Sequence, residues 1–141
     1  MFKERKYWVR VLIVFLSIEL LLVFSVLSAS FEDLKSKAIS GDANTQTDIG
    51  IMYHMGEGVL QDYNKAFYWY TEAAKQVHAK AQYNIGVMYE RGWGVHQDYK
   101  KAVYWFTKAA KQGYAKAQHN LGVMYDSGSG FPQNSKKAAY W

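Results

Sequence analysis

The side chains able to do chemistry are few in this sequence, and their spacing does not suit it. The four histidines, His54, His78, His96 and His119, neither recur at a fixed interval nor pair at i, i+3 or i, i+4, the spacings that aim two imidazoles at one metal from a helix. Cysteine is absent, which removes thiolate ligands, a thiol nucleophile and any disulfide framework. No serine has a lysine three residues on, so the pair that activates a hydroxyl for acyl transfer is missing. Glycines two apart stand at Gly56 and Gly58, Gly92 and Gly94, and Gly128 and Gly130. They lack the full phosphate-loop spacing and a preceding strand, and predict tight reversals with positive φ instead. The expectation is therefore no catalytic residue, no metal site and no cofactor.

The elements that would carry a surface are more legible. At 141 residues the chain has room for one domain of ordinary size, and 50% apolar with 21% charged residues is a globular balance. Aromatics reach 17%, with 12 tyrosines and 5 tryptophans, which suits a thin, elongated fold that lacks one deep core. The net charge is +5, but Lys3, Arg5, Lys6 and Arg10 against Glu4 and Glu19 put a surplus of two in residues 1–30. The remaining +3 is too weak to argue for nucleic acid as a partner.

Residues 1–30 have the order of an export signal: a basic start, the apolar run VLIVFLSIELLLVFSVL from Val11 to Leu27, then small residues Ser28, Ala29 and Ser30. A cleaved signal peptide and a retained anchor share this layout. The run sits at the short end for spanning ~30 Å of hydrocarbon. Glu19 within it would cost roughly 2.5 to 3.5 kcal/mol on an insertion scale, which favours cleavage near Phe31. Both readings place the rest outside the cytoplasm, periplasmic or secreted in one case and held by a single-pass inner-membrane anchor in the other. A buried core helix would leave the basic start and the small residues unexplained.

Sliding the chain against itself reveals a period of 36. Ala43–His78 matches Ala79–Tyr114 at 21 of 36 positions, and Ala115–Trp141 matches the second copy at 17 of 27, without gaps. Twelve positions are identical in all three copies, among them Gly50, Gly86 and Gly122, and Tyr53, Tyr89 and Tyr125. Each copy reads as two helices. Asp98 predicts an N-cap before YKKAVYWFTKAAKQG, in which Ala102, Trp105, Phe106, Ala109 and Ala110 form one apolar stripe at i, i+3, i+4, i+7 and i+8, stopped by Gly113. The preceding helix, Ala79 to Arg91, puts Ile85, Met88 and Tyr89 on one side, with Gly86 beside them for close helix approach. Truncating Trp105 to alanine is expected to cost roughly 3 to 5 kcal/mol through a cavity.

These motifs organise the chain. Residues 31–41 form an amino-terminal capping half-repeat with a stripe of Phe31, Leu34, Ala38 and Ile39, followed by repeat 1 (42–78), repeat 2 (79–114) and an incomplete repeat 3 (115–141). The last helix would begin near Asn134 and stop at Trp141, about two turns in, where an isolated helix is marginal. Two readings stand: a truncated relative of longer arrays, or an uncapped aromatic end that self-associates. Since three repeats are usually wanted, the array would be marginally stable alone.

Gln82-Tyr83-Asn84-Ile85-Gly86-Val87-Met88-Tyr89, then Gly92-Trp93-Gly94-Val95, then Asp98-Tyr99-Lys100-Lys101-Ala102, Trp105 and Ala109-Ala110 resemble the Sel-one-like repeat family, relatives of tetratricopeptide repeats. The resemblance covers residues 42–141. It implies an all-α fold, a right-handed solenoid of antiparallel helical hairpins, in which the first helix of each hairpin lines a concave groove. Members commonly act as adaptors. Some Cys-rich relatives are associated with penicillin binding and β-lactamase activity, but without cysteines or the serine–lysine pair that activity does not carry over, and a β-lactam- or cell-wall-binding hydrolase is the weakest alternative. The resemblance maps the groove to Asn44, Thr47, Asp48, Ile51, His54 and Met55 in the first copy. In the later copies it gives Tyr83, Asn84, Val87, Arg91, His119, Asn120 and Val123 as partner-binding residues. Gly50, Tyr53, Gly86, Tyr89, Ala102, Trp105, Gly122 and Tyr125 are structural. The expected function is an exported, non-catalytic scaffold that binds a protein or peptide, with a membrane-anchored assembly factor as the alternative. A membrane would be involved only through residues 1–30, if these stay attached.

Overall fold

The computed structural model describes residues 2–129 and 132–141, and the side chains of these except at 2–12, 24 and 26–29. Gly130 and Phe131 of the third glycine loop, and the side chains of Lys3, Arg5, Lys6 and Arg10, lie outside the described residues. The fold is all-helical. Among the described residues the elements are α1 (Phe2–Ile39), α2 (Ala43–Met55), α3 (Tyr63–Lys75), α4 (Ala79–Arg91), α5 (Tyr99–Lys111), α6 (Ala115–Ser127) and α7 (Ser135–Tyr140). The chain divides into two compact units, Met1–Leu34 and Lys35–Trp141. In the first, the apolar side chains of Ile13–Leu16 and Leu20–Val23 are exposed. Among the described residues no helix is long and apolar enough to cross a membrane.

The second unit consists of hairpins α2–α3, α4–α5 and α6–α7, each built by the same local devices. Asp62, Asp98 and Asn134 accept a hydrogen bond from the backbone N–H of Lys65, Lys101 and Lys137, so one exposed first-turn amide in each second helix is satisfied. At the other side of the loop, Gly56, Gly92 and Gly128 end α2, α4 and α6 in the left-handed region, with φ of 75°, 72° and 68°. A third bond closes each reversal. The capping residue's own N–H donates to the carbonyl of the repeated tyrosine: Asp62 to Tyr53, Asp98 to Tyr89 and Asn134 to Tyr125, at 2.8 to 2.9 Å. The ring of that same tyrosine lies under a lysine ammonium, Lys65, Lys101 or Lys137, at 5.2 to 5.3 Å. Tyrosine and lysine thus recur together because one loop geometry requires both.

The buried core runs along small residues. Ala66, Ala73, Ala81, Ala102, Ala109 and Ala117 are fully buried, letting helices approach, and Ile49, Tyr70, Ile85, Met88, Phe106, Leu121 and Met124 fill the space between them. Gly50 and Gly86 face Tyr70 and Phe106, whose rings take the volume a Cβ would need. Burial pushes the Tyr70 phenol well above its ordinary range.

Three expectations are corrected here. Trp105 is half-buried rather than a core residue; the deep aromatic of that stripe is its neighbour Phe106, because the position facing Gly86 lies innermost. Ile39 is 70% exposed, so of the α1 stripe only Ala38 is fully buried, where its carbonyl accepts from Gln46 Nε2 at 2.9 Å. Thr47 is fully buried and cannot face a groove.

Candidate partner-binding face

The face expected to meet a partner is carried by α4 and α6, the first helices of the second and third hairpins. Arg91, His119 and Val123 are exposed on it, while Tyr83, Asn84, Val87 and Asn120 are half-buried. The structure joins some of these to one another. Tyr83 packs against Phe106 and Tyr114, with ring centroids 5.5 and 5.2 Å away, and its phenol meets the side chain of Asn120. Burial, followed by the nearby Tyr114, raises the Tyr83 phenol above its usual value. Tyr83 is thus a wedge between hairpins whose edge reaches the surface, and Val87 packs on the same cluster. Asn84 and Arg91 lie on α4 and His119 and Val123 on α6, with Arg91 Nε 3.8 Å from Glu90.

At the equivalent junction between the first two hairpins the chemistry is different. His78, at the N-terminus of α4, contacts Thr47 Oγ1 through Nδ1 at 2.9 Å and Asn44 Oδ1 through Nε2 at 3.0 Å, and Lys80 reaches Asp48 at 3.5 Å. Burial, then Lys80, lowers the His78 pKa against the opposing pull of Asp48 and Asp42. One 36-residue step later these positions are Tyr114, Tyr83 and Lys116. A polar junction is thereby exchanged for an aromatic one on the same backbone.

The sequence reading missed Trp93. It leaves the loop after α4, stacks on Tyr63 at 5.6 Å and meets His54 edge-on at 5.0 Å, latching the second hairpin onto the first. His54 Nδ1 has no hydrogen-bond partner among the described residues, and burial lowers its pKa. A signal did exist: Glu57 and Ser129 occupy the Trp93 position in the other copies, so an aromatic there breaks the repeat. Gly50, Tyr53, Gly86, Tyr89 and Ala102 sit at packing or loop-closing positions. Gly122 is looser: among the described residues a Cβ there meets only the Ala138 carbonyl, at 3.4 Å. Among the described residues no group of three His, Asp or Glu side chains could hold a metal.

Helical hairpins repeated at a fixed step, with packing positions kept and surface positions varied, define an α-solenoid repeat protein. The Sel1 repeat family model matches residues 43–78, 79–114 and 115–141, and the chain belongs to the Sel1 repeat family. Such repeats commonly serve as protein-interaction scaffolds. Solved structures similar to this chain include the following two. One is a protective antigen present in uropathogenic Escherichia coli strains and displaying this repeat fold, 42% identical over 78% of this chain with a TM-score of 0.76. The other is a Sel1 repeat protein from Oxalobacter formigenes, 40% identical over 72% of this chain with a TM-score of 0.68. The chain spans only 24% and 40% of their lengths. No curated protein matches it.

Proposed function

We propose that this protein is an exported, non-catalytic adaptor that binds a protein or peptide segment across the α4 and α6 face. The observation that carries the reading is the set of half-exposed side chains around Tyr83, where Asn84 and Asn120 present amides and Arg91 and Val123 stand free of the core. An amide offers both a donor and an acceptor to an extended backbone, while tyrosine and arginine are the anchor types that dominate binding energies. Export rests on the order of residues 1–30, basic then apolar then small. The antigenic role of a protein with the same repeats is consistent with it.

Capture of partners with the tagged full chain, followed by mass spectrometry, tests the face. Species recovered with the parent should be lost with the double substitution Asn84→Ala and Arg91→Ala; undiminished recovery would remove these residues from the interface. Sequencing the mature amino terminus tests export: a start near Phe31 supports a released adaptor, and an intact terminus in the membrane fraction supports the anchored assembly factor.

A further inference from the structure

A cavity of about 430 Å³ opens between α3 and α5, lined by Lys75, Lys108 and Lys111 together with Trp105 and the amides of Gln82 and Gln112. Among the described residues no carboxylate lines it. The Lys108 ammonium lies over the Trp105 and Tyr104 rings, 5.0 and 4.7 Å from their centres, so the aromatic wall of the cavity carries a cation on its face. Lys75 is held by Glu72 at 2.6 Å, whereas Lys111 has no acidic partner among the described residues.

Comparison within the chain separates what packing requires from what is particular to this cavity. One 36-residue step earlier, Glu72 stands at the place of Lys108 and Ile39 at the place of Lys75, and Trp69 is 8% exposed. The junction there is closed by Gln76, which donates to the Gly41 carbonyl and to Gln46 at 2.8 and 2.9 Å. Lys111 is matched by Lys75 one step earlier, but Lys75, Lys108 and the opened tryptophan answer no packing need shared with the preceding junction. Gln82 differs in the same sense. Its equivalents Gln46 and Gln118 donate their amides to the carbonyls of Ala38 and Ala110 at 2.9 and 3.3 Å. Gln82 is 3% exposed and accepts from Gln112 at 2.8 Å, but among the described residues its own amide nitrogen makes no such bond to Ala74. A donor is left at the wall of a cavity with an apolar floor and an ammonium rim.

We propose that this cavity seats an acidic peptide segment, with a glutamate or aspartate carboxylate between Lys108 and Lys111 and an apolar neighbour against Trp105. The charge at the rim sets the sign of the ligand, and the Gln82 amide supplies a bond to a backbone carbonyl. The volume admits one or two side chains of an extended segment. Three ammonium groups at one concavity, with +3 the net charge of residues 31–141, do not form the extended track that a nucleic acid backbone needs. The site is separate from the α4 and α6 face, so the two can fail independently.

Fluorescence anisotropy of a labelled Glu-Leu repeat hexapeptide, titrated with the full chain at low salt, tests the proposal. Saturable binding is expected, with the Gln-Leu counterpart failing to bind. Lys108→Glu, which installs the residue found one repeat earlier, should weaken binding by at least about tenfold, with Lys108→Gln and Lys111→Ala intermediate. Lys136→Glu, outside the cavity, should stay within about twofold of the parent. Equal binding by the parent and Lys108→Glu, an equal loss in Lys136→Glu, or no saturable binding would overturn the site. Tighter binding of single-stranded DNA or anionic vesicles than of the peptide would overturn the choice of ligand.

Discussion

Gly86 lies so close beneath Phe106 that a Cβ built on it would stand 2.6 Å from two carbons of the ring. Phe106 is fully buried, so its ring can yield only against the core side chains packed around it. Gly86→Ala should therefore destabilise by about 1 to 3 kcal/mol despite alanine's better helix propensity. Gly122→Ala, where the added methyl meets an ordinary 3.4 Å contact, should be neutral or stabilising by up to ~1 kcal/mol. Urea unfolding followed by circular dichroism separates them, and an equal loss at both positions would contradict the close-approach account.

Val77 has φ of 61°, a left-handed conformation that a β-branched side chain strongly disfavours, and it is 63% exposed. Gly41 and Gly113 occupy the same position one repeat away, at φ of 103° and 82°. Relief of the backbone strain, of order 1 to 2 kcal/mol, exceeds the entropy glycine adds to the unfolded chain, so Val77→Gly should raise the melting temperature. The reciprocal Gly113→Val should lower it.

Phe106→Ala should cost about 3 to 5 kcal/mol, the loss expected for a fully buried ring. Trp105→Ala should cost less, because part of the indole already faces water at the cavity between α3 and α5. Chemical denaturation of the two variants side by side gives the order; a larger loss at Trp105 would reverse the assignment of the deep position.

Stability should fall on acidification from pH 7 to pH 5. His54 and His78 both have pKa values lowered by burial, so just below the ordinary imidazole value of about 6.5 the unfolded chain binds more protons than the folded one. That stability is complete above this value and is lost as the pH falls through it. His54→Phe, which also removes the unpartnered Nδ1 among Tyr63, Tyr70 and Trp93, should flatten the decline in melting temperature. An unchanged slope would place the titration elsewhere.

Much of the candidate face was legible only as positions, not as roles. The 36-residue step marked Tyr83, Asn120 and Val123 as surface-directed, but nothing in the spacing indicated that the Tyr83 ring would slide under Tyr114 and hold Asn120. The basic cavity was equally hidden. Lys75 and Lys108 read as ordinary helix-surface lysines until neighbouring hairpins place them on one rim.

The sequence by itself determined what depends on near neighbours along the chain: the helices, their Asp and Asn caps, the left-handed glycines and the repeated hairpin. Those devices act within a few residues, so spacing encodes them. Only the tertiary structure decided which aromatic lies deepest, that Trp93 latches one hairpin to another, and that the junctions around His78 and Tyr83 use opposite chemistries. Each of these depends on which side chain from 20 to 40 residues away occupies the facing space, and a stripe of apolar residues gives the direction of burial without giving its depth.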